Sequence, residues 1–173
     1  MMAAHDVLAV LDVLGAAGVP AWLDGGWGVD ALVGTQTRDH EDLDLVVARE
    51  HVGAACAALA VQGLTVLTDE QPTRLLVGDG SRAIDLHPVR FDAEGAGWQA
   101  LPDGAEFRYP PAGFRGVGHV GSRHVACLSA EVQDLCHRGY APDEKDDHDM
   151  RLLHAHFHLP TPWPVPASQR PCR

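Results

Sequence analysis

Apolar positions Val7, Leu8, Val10, Leu11 and Leu14 recur at helical spacing and predict a helix over Ala3 to Ala17, ended by Gly15 and Gly18. A short apolar run, Val19 to Leu23, predicts a strand leading into Asp24-Gly25-Gly26. Trp27 to Val33 reads as a brief helix closed by Gly34. Glu41 to Ala48 alternates as a strand, and the Ala-rich stretch His51 to Gln62 is helical, stopped by Gly63. Strands follow at Leu64 to Leu67, Arg74 to Val77 and Arg82 to Val89, with Asp79-Gly80 as a hairpin turn between the last two. Arg90 to Gly121 has no clear period; its glycines, prolines and aromatics predict loops and short edge strands on the rim of a site. His124 to Leu128 is a further strand. Ser129 opens a helix that carries Glu131 and Gln133 in its first turn and ends near Gly139. Asp143 to His158 forms the last long helix, and the Pro-rich stretch Pro160 to Arg173 an irregular tail.

The pattern is an α/β core followed by a small helical part, with no internal repeat. At 173 residues with 46% hydrophobic and 21% charged positions, the chain can bury a core of its own. A net charge of -11 excludes a nucleic-acid partner, since phosphate backbones are bound through Lys and Arg, and suits a small cationic ligand better. No stretch is long and apolar enough to span a bilayer and no signal-peptide pattern opens the chain, so a cytoplasmic location is expected. Four cysteines without a CxxC pair read as reduced thiols, at least two of them in the core.

The candidate chemistry lies in Asp42-Leu43-Asp44. Side chains at i and i+2 of a strand share a face, their backbones about 6.5–7 Å apart, so two carboxylates can converge on one hard cation or bridge a pair. Leu43, Leu45 and Val47 take the opposite face, and Val46 follows the acids. Such a pair is more often a solvated strand face, but two neighbours argue against that here. Gly25-Gly26 follows a strand and opens a helix, where backbone N–H groups can approach a phosphate. Asp85 sits inside the apolar run Ala83-Ile84-Asp85-Leu86-His87-Pro88, and an interior strand acid is costly unless paired or bound to metal. If the two strands are neighbours, Asp85 comes about 5 Å from the Asp-x-Asp face. Magnesium fits three such acids, because it favours oxygen ligands and keeps positions open for phosphates.

These residues resemble the small antibiotic nucleotidyltransferases, most closely the lincosamide enzymes, with aminoglycoside 2″-nucleotidyltransferases as more distant relatives. The resemblance rests on Trp22 to Asp30 with Gln36 to Asp44, on Asp85-Leu86-His87-Pro88-Val89, and on His137-Arg138-Gly139-Tyr140 followed by Asp146 and Asp149. It implies a nucleotidyltransferase core of mixed β-sheet with flanking helices over 1–128, a C-terminal helical part over 129–160 and a tail over 161–173. It further implies that Asp42 and Asp44 hold magnesium, in all two ions, with Asp85 as general base and second-metal ligand. ATP or another nucleoside triphosphate is then the co-substrate, and a small-molecule antibiotic, a lincosamide first, the acceptor. An aminoglycoside acceptor, or an antitoxin-like member of the fold that binds a partner protein without catalysis, are the alternatives.

Around this centre several residues carry two readings. Arg38 contacts a phosphate or balances Asp39 and Glu41; Lys145 neutralises the triphosphate or pairs with Asp149 at i,i+4. His87 shares a face with Asp85 and points toward the acceptor, and Tyr140 faces the substrate or packs at the break between the last two helices. Trp27 packs beneath the glycine turn rather than stacking on a base. His154 and His158, which share a face if the helix continues through both, lack the thiol or carboxylate partners that a zinc site needs. No oligomerisation motif stands out, and a homodimer stays open.

Overall fold

The computed structural model describes residues 1–138, 140–160 and 163. Its strands are β1 (Ala21–Leu23), β2 (Leu43–Ala48), β3 (Thr65–Glu70), β4 (Arg74–Gly78), β5 (Ala83–Phe91), β6 (Gly97–Ala100), β7 (Glu106–Tyr109), β8 (Gly116–Val120) and β9 (Arg123–Cys127). The helices are α1 (Ala4–Ala16), α2 (Gly25–Val33), α3 (Val52–Val61), α4 (Ala130–Cys136) and α5 (Glu144–Phe157). The main sheet runs β3-β4-β5-β2-β1-β9-β8, and β6 and β7 extend from the far end of β5. It is mixed: β2 pairs β5 and β1 pairs β9 in parallel, and the remaining pairs are antiparallel.

Alternation along β2 splits the molecule into its two faces. Leu43, Leu45 and Val47 join Leu23, Ile84 and Leu86 in the larger core, which α1 and α3 cover with Val7, Val10, Leu14, Ala55 and Leu59. Val46 points the other way, into a second cluster with Val89, Tyr109, Leu128 and Val132. The acids of β2 and β5 share that second face. A third cluster, with Val29, Ala130, Met150 and Leu153 buried, ties α2 to α4 and α5.

Several expected elements shift. β2 begins at Leu43 rather than Glu41, so Asp42 belongs to the bend that feeds the strand and is exposed. The stretch Arg90 to Gly121 is more ordered than its lack of period predicts, because β6, β7 and β8 are held by pairing rather than by alternation. The hairpin at Asp79-Gly80 forms, closed by the Gly78↔Ala83 pair with Gly80 at φ 87°. Helix α5 ends at Phe157, since His158 adopts a left-handed conformation at φ 50°, so His154 and His158 do not share a helical face. Of the cysteines, Cys127 is buried while Cys56 and Cys136 lie half-buried at the margins of the cores. Gly139, Cys172 and the tail expected over 161–173, Trp163 excepted, lie outside the described residues.

Candidate active site

Three acids form a row across adjacent strands. Asp44 on β2 stands directly beside Asp85 on β5. Asp24, one residue past the Leu23↔Leu45 pair, donates its N–H to the Asp44 carbonyl at 3.0 Å. His87, two residues beyond Asp85 and therefore on the same face, brings Nε2 to 3.2 Å from Asp44 Oδ1. Ligand atoms of Asp44, Asp85 and His87 all lie within 4.8 Å of one another, and among the described residues they are the one such group. Asp42 is outside that group but lines the same cavity, and burial together with the charges of Asp44 and Asp85 raises its pKa.

Asp85 is 7% exposed, and its two oxygens differ. Oδ2 lies 3.3 Å from Arg74 Nη1, whereas Oδ1 is buried without a hydrogen-bond partner. A buried carboxylate oxygen left unpaired is costly, so the site is built to receive something there. Burial raises the Asp85 pKa, and the charge of Asp44 adds to it while His87 and Arg74 oppose. Burial also raises that of Asp24, at 8% exposure, again with Asp44 adding. At His87, burial disfavours the charged ring, but the Asp44 hydrogen bond and the charges of Asp44, Asp24 and Asp85 outweigh it and pull the pKa up to about 9. The Gln99 amide nitrogen lies 3.1 Å from Nδ1.

The glycine turn above the row is dictated by space. Gly25 has φ 55°, a conformation that favours glycine, and a Cβ there would collide with the Asp44 carboxylate. A Cβ on Gly26 would meet Arg38 and His40. Asp24 caps α2, its Oδ1 accepting from the Gly25 N–H at 2.8 Å. Trp27 is buried in the larger core with its ring 4.7 Å from that of His40, as packing predicts. His40 in turn meets Asp30 at 2.6 Å, and Asp30 also accepts from the Thr37 N–H and hydroxyl, which fixes the loop between α2 and β2.

That loop meets α5. Arg38 grips Asp149 with Nε and Nη2, at 2.9 and 2.6 Å, and donates Nη1 to the Asp39 carbonyl. The expected balancing of Asp39 and Glu41 by its charge gives way to this longer-range pair. Lys145 lies 3.2 Å from Glu41, not against Asp149, whose carboxylate Arg38 already occupies. Asp143 and Asp146 cap α5 reciprocally, and Tyr140 donates its hydroxyl to Asp146 at 2.9 Å. His154 and His148 contact Asp134 and Thr37 respectively.

The row and α5 enclose a cavity of about 360 Å³, the scale of a small-molecule site. Gly25, Gly26, Arg38, Asp42, Asp44, His87, Tyr140 and Lys145 all line it, and Asp85 sits immediately behind, so every residue expected from sequence converges there. Sequence reasoning missed Asp24 as a member of the row and overlooked Arg74 and Gln99 altogether. Asp24 was detectable as a side chain two residues past Trp22 on a short strand; the other two carry no local signal.

Residues 6–153 match the profile of the aminoglycoside-2″-adenylyltransferase family. A lincosamide resistance protein of Staphylococcus haemolyticus is 32% identical over 149 residues, which cover 86% of this chain and 92% of that protein. A 2″-aminoglycoside nucleotidyltransferase of Klebsiella pneumoniae is 32% identical over 128 residues, covering 74% and 67%. Among solved structures, the lincomycin-bound lincosamide adenylyltransferase LnuA superposes with a TM-score of 0.76 at 31% identity, covering 86% of this chain and 94% of the other. ANT(2″)-Ia in complex with adenylyl-2″-tobramycin superposes with a TM-score of 0.73 at 23% identity and 88% coverage of both, a likeness of fold.

Proposed function

The chain belongs to the aminoglycoside-2″-adenylyltransferase family and is a nucleotidyltransferase, and we propose that it transfers AMP from ATP to a hydroxyl of a small antibiotic, a lincosamide in the first place. The observation that carries the reading is the pairing of Asp44 with Asp85 across β2 and β5 at the foot of the cavity, with Asp85 Oδ1 left open. The lincosamide preference is supported by the coverage of 92% of the lincosamide resistance protein, against 67% of the aminoglycoside enzyme. The aminoglycoside reading draws on the net charge of -11, yet the acids of α5 nearest the cavity are already engaged by Arg38, Tyr140 and one another. Family membership sets the non-catalytic alternative aside.

Asp44 and Asp85, with Asp42 lining the same cavity, would hold magnesium: their oxygens are the ligands it favours, and a cation would partner the orphaned Asp85 oxygen. The chemistry magnesium would supply there is neutralisation of triphosphate charge and a lowered pKa for the acceptor hydroxyl. The protein's own groups do the rest. As the acceptor oxygen bonds to the α-phosphorus, the bond to the bridging oxygen breaks and pyrophosphate leaves in line. The hydroxyl proton passes to Asp85, which burial makes a stronger base than an ordinary carboxylate. The glycine turn at the start of α2 favours phosphate charge. Lys145, whose bond to Glu41 is exposed and weak, is free to turn to the triphosphate, whereas Arg38 stays in its two-pronged bond to Asp149. His87 and Tyr140 face the acceptor. No helix among the described residues is long and apolar enough to cross a membrane, and we assign the reaction to the cytoplasm, where nucleoside triphosphates are made and used.

Incubation with magnesium, ATP and a panel of lincosamides and aminoglycosides, read by mass spectrometry, tests the reading. An adenylyl adduct on a lincosamide is expected; an adduct confined to aminoglycosides transfers the case to the second acceptor class, and no adduct on any drug sinks the reading. Magnesium binding has a separate readout. Asp24 and Asp85 have folded pKa values raised above their unfolded ones, so without metal the folded state loses stability as pH climbs from the ordinary carboxylate range through those raised values. Magnesium reverses that loss and competes with protons for the same oxygens. The rise in Tm on adding it is therefore large near neutral pH and shrinks in mild acid; a rise independent of pH counts against these ligands.

A further inference from the structure

The β8–β9 hairpin closes one end of the main sheet, and its two faces differ. Val120, Val125 and Cys127 turn inward and join the larger core, and a Cβ on Gly118 would strike the backbone of Ala31 in α2. Val117, His119, His124 and Ala126 take the other face by alternation, and all four are exposed. There His119 stands directly opposite His124, with ring centres 4.2 Å apart and planes tilted by 51°. Among the described residues neither ring has a hydrogen-bond or ion-pair partner. Arg123, the adjacent cation, is turned to Asp12 at 2.5 Å. Two open imidazoles are thus fixed side by side on a backbone that its buried face holds in place.

We propose that His119 and His124 form a chelating site for a divalent transition-metal ion of the zinc, nickel or copper(II) class. Imidazole is the ligand these ions share. Directly opposed strand residues carry Cβ atoms about 4.5–5.5 Å apart, and rings this close can each bring a nitrogen to about 2 Å from one ion. The second bond forms within the molecule, so the pair holds an ion more tightly than either ring alone. The net charge of -11 favours any cation, whereas magnesium prefers oxygen ligands and is not selected here. The pair shares no residue with the row of acids. Water fills the positions on the ion that the two rings leave open. An ion held this way ties β8, the last strand at its end of the sheet, to β9 and stabilises the folded chain.

Calorimetric titration of the untagged full chain with nickel or zinc, in excess magnesium and at mildly alkaline pH where free imidazole is neutral, tests this. One ion is expected to bind at the pair. His119→Gln and His124→Gln should each weaken that binding by at least about tenfold, while His87→Gln leaves it unchanged. Both of the first two substitutions lie on the exposed face, so the core that holds the hairpin is untouched. Copper(II) supplies a readout that does not depend on affinity. In the His87→Gln protein its electron paramagnetic resonance should show two coupled imidazole nitrogens, and one after either hairpin substitution. A wild-type chain that takes up no ion overturns the proposal, as does a hairpin variant that binds like the wild type. A site lost with His87→Gln instead, or a single coupled nitrogen before any hairpin substitution, overturns it as well. None of these measurements uses ATP or drug, so they judge the pair independently of the transfer reading.

Discussion

Asp44→Asn abolishes measurable nucleotidyl transfer, a loss of at least about 10³–10⁴-fold, as when one central charge is removed from a site whose groups act as a unit. Asp44 is the middle member of its row. It has Asp85 on one side and Asp24 on the other, it takes the His87 contact, and its carboxylate fills the space beneath Gly25. Asparagine keeps that shape and can still accept from His87, so the fold survives the exchange. It removes one negative charge from a crowded cluster, and the metal-free variant should melt no lower than the wild type. The discriminating pattern is lost turnover, a lost magnesium-induced rise in Tm, and an undiminished Tm without metal. Turnover within about tenfold of wild type would take Asp44 out of the mechanism.

For Asp85→Asn the expected loss is about 10²–10⁴-fold in kcat, the range for removing a general base. The residue's burial and its unpaired Oδ1 make the charged form expensive, so the metal-free variant should gain stability. Two measurements separate its roles. If Asp85 acts only as a base, magnesium still raises the Tm of the variant; if it also binds the ion, that rise shrinks. The wild-type rate should fall as pH drops through the raised pKa, because the proton acceptor must be ionised, and the variant's residual rate should lose that dependence. A variant that turns over like the wild type refutes the assignment.

Much of this centre was legible in the chain because acids in apolar strands are anomalous. Asp85 stood out between Ile84 and Leu86, and alternation alone set Asp44 opposite in facing to Leu43 and Leu45. The parallel pairing of β2 with β5 then did what the sequence had to assume, placing Asp44 beside Asp85. Asp24 was hidden by its type: an aspartate before a helix is what capping predicts, and its second role depends on β1 lying beside β2. Gln99 and Tyr109 were hidden by distance, since β6 and β7 are four-residue strands defined by their partners. The bond between Arg38 and Asp149 spans 111 positions, and local charge balance pointed Arg38 to the wrong partners.

That bond has a consequence for engineering. Asp149 is 2% exposed and Arg38 reaches it from a loop that Asp30 and His40 pin to α2, so the loop and the last helix were fitted to each other. A chimera that replaces α5 with a helix lacking an acid at the position of Asp149, while keeping residues 35–42, would strand the Arg38 guanidinium at the seam. Domain shuffling between such enzymes should therefore succeed only when both pieces travel together.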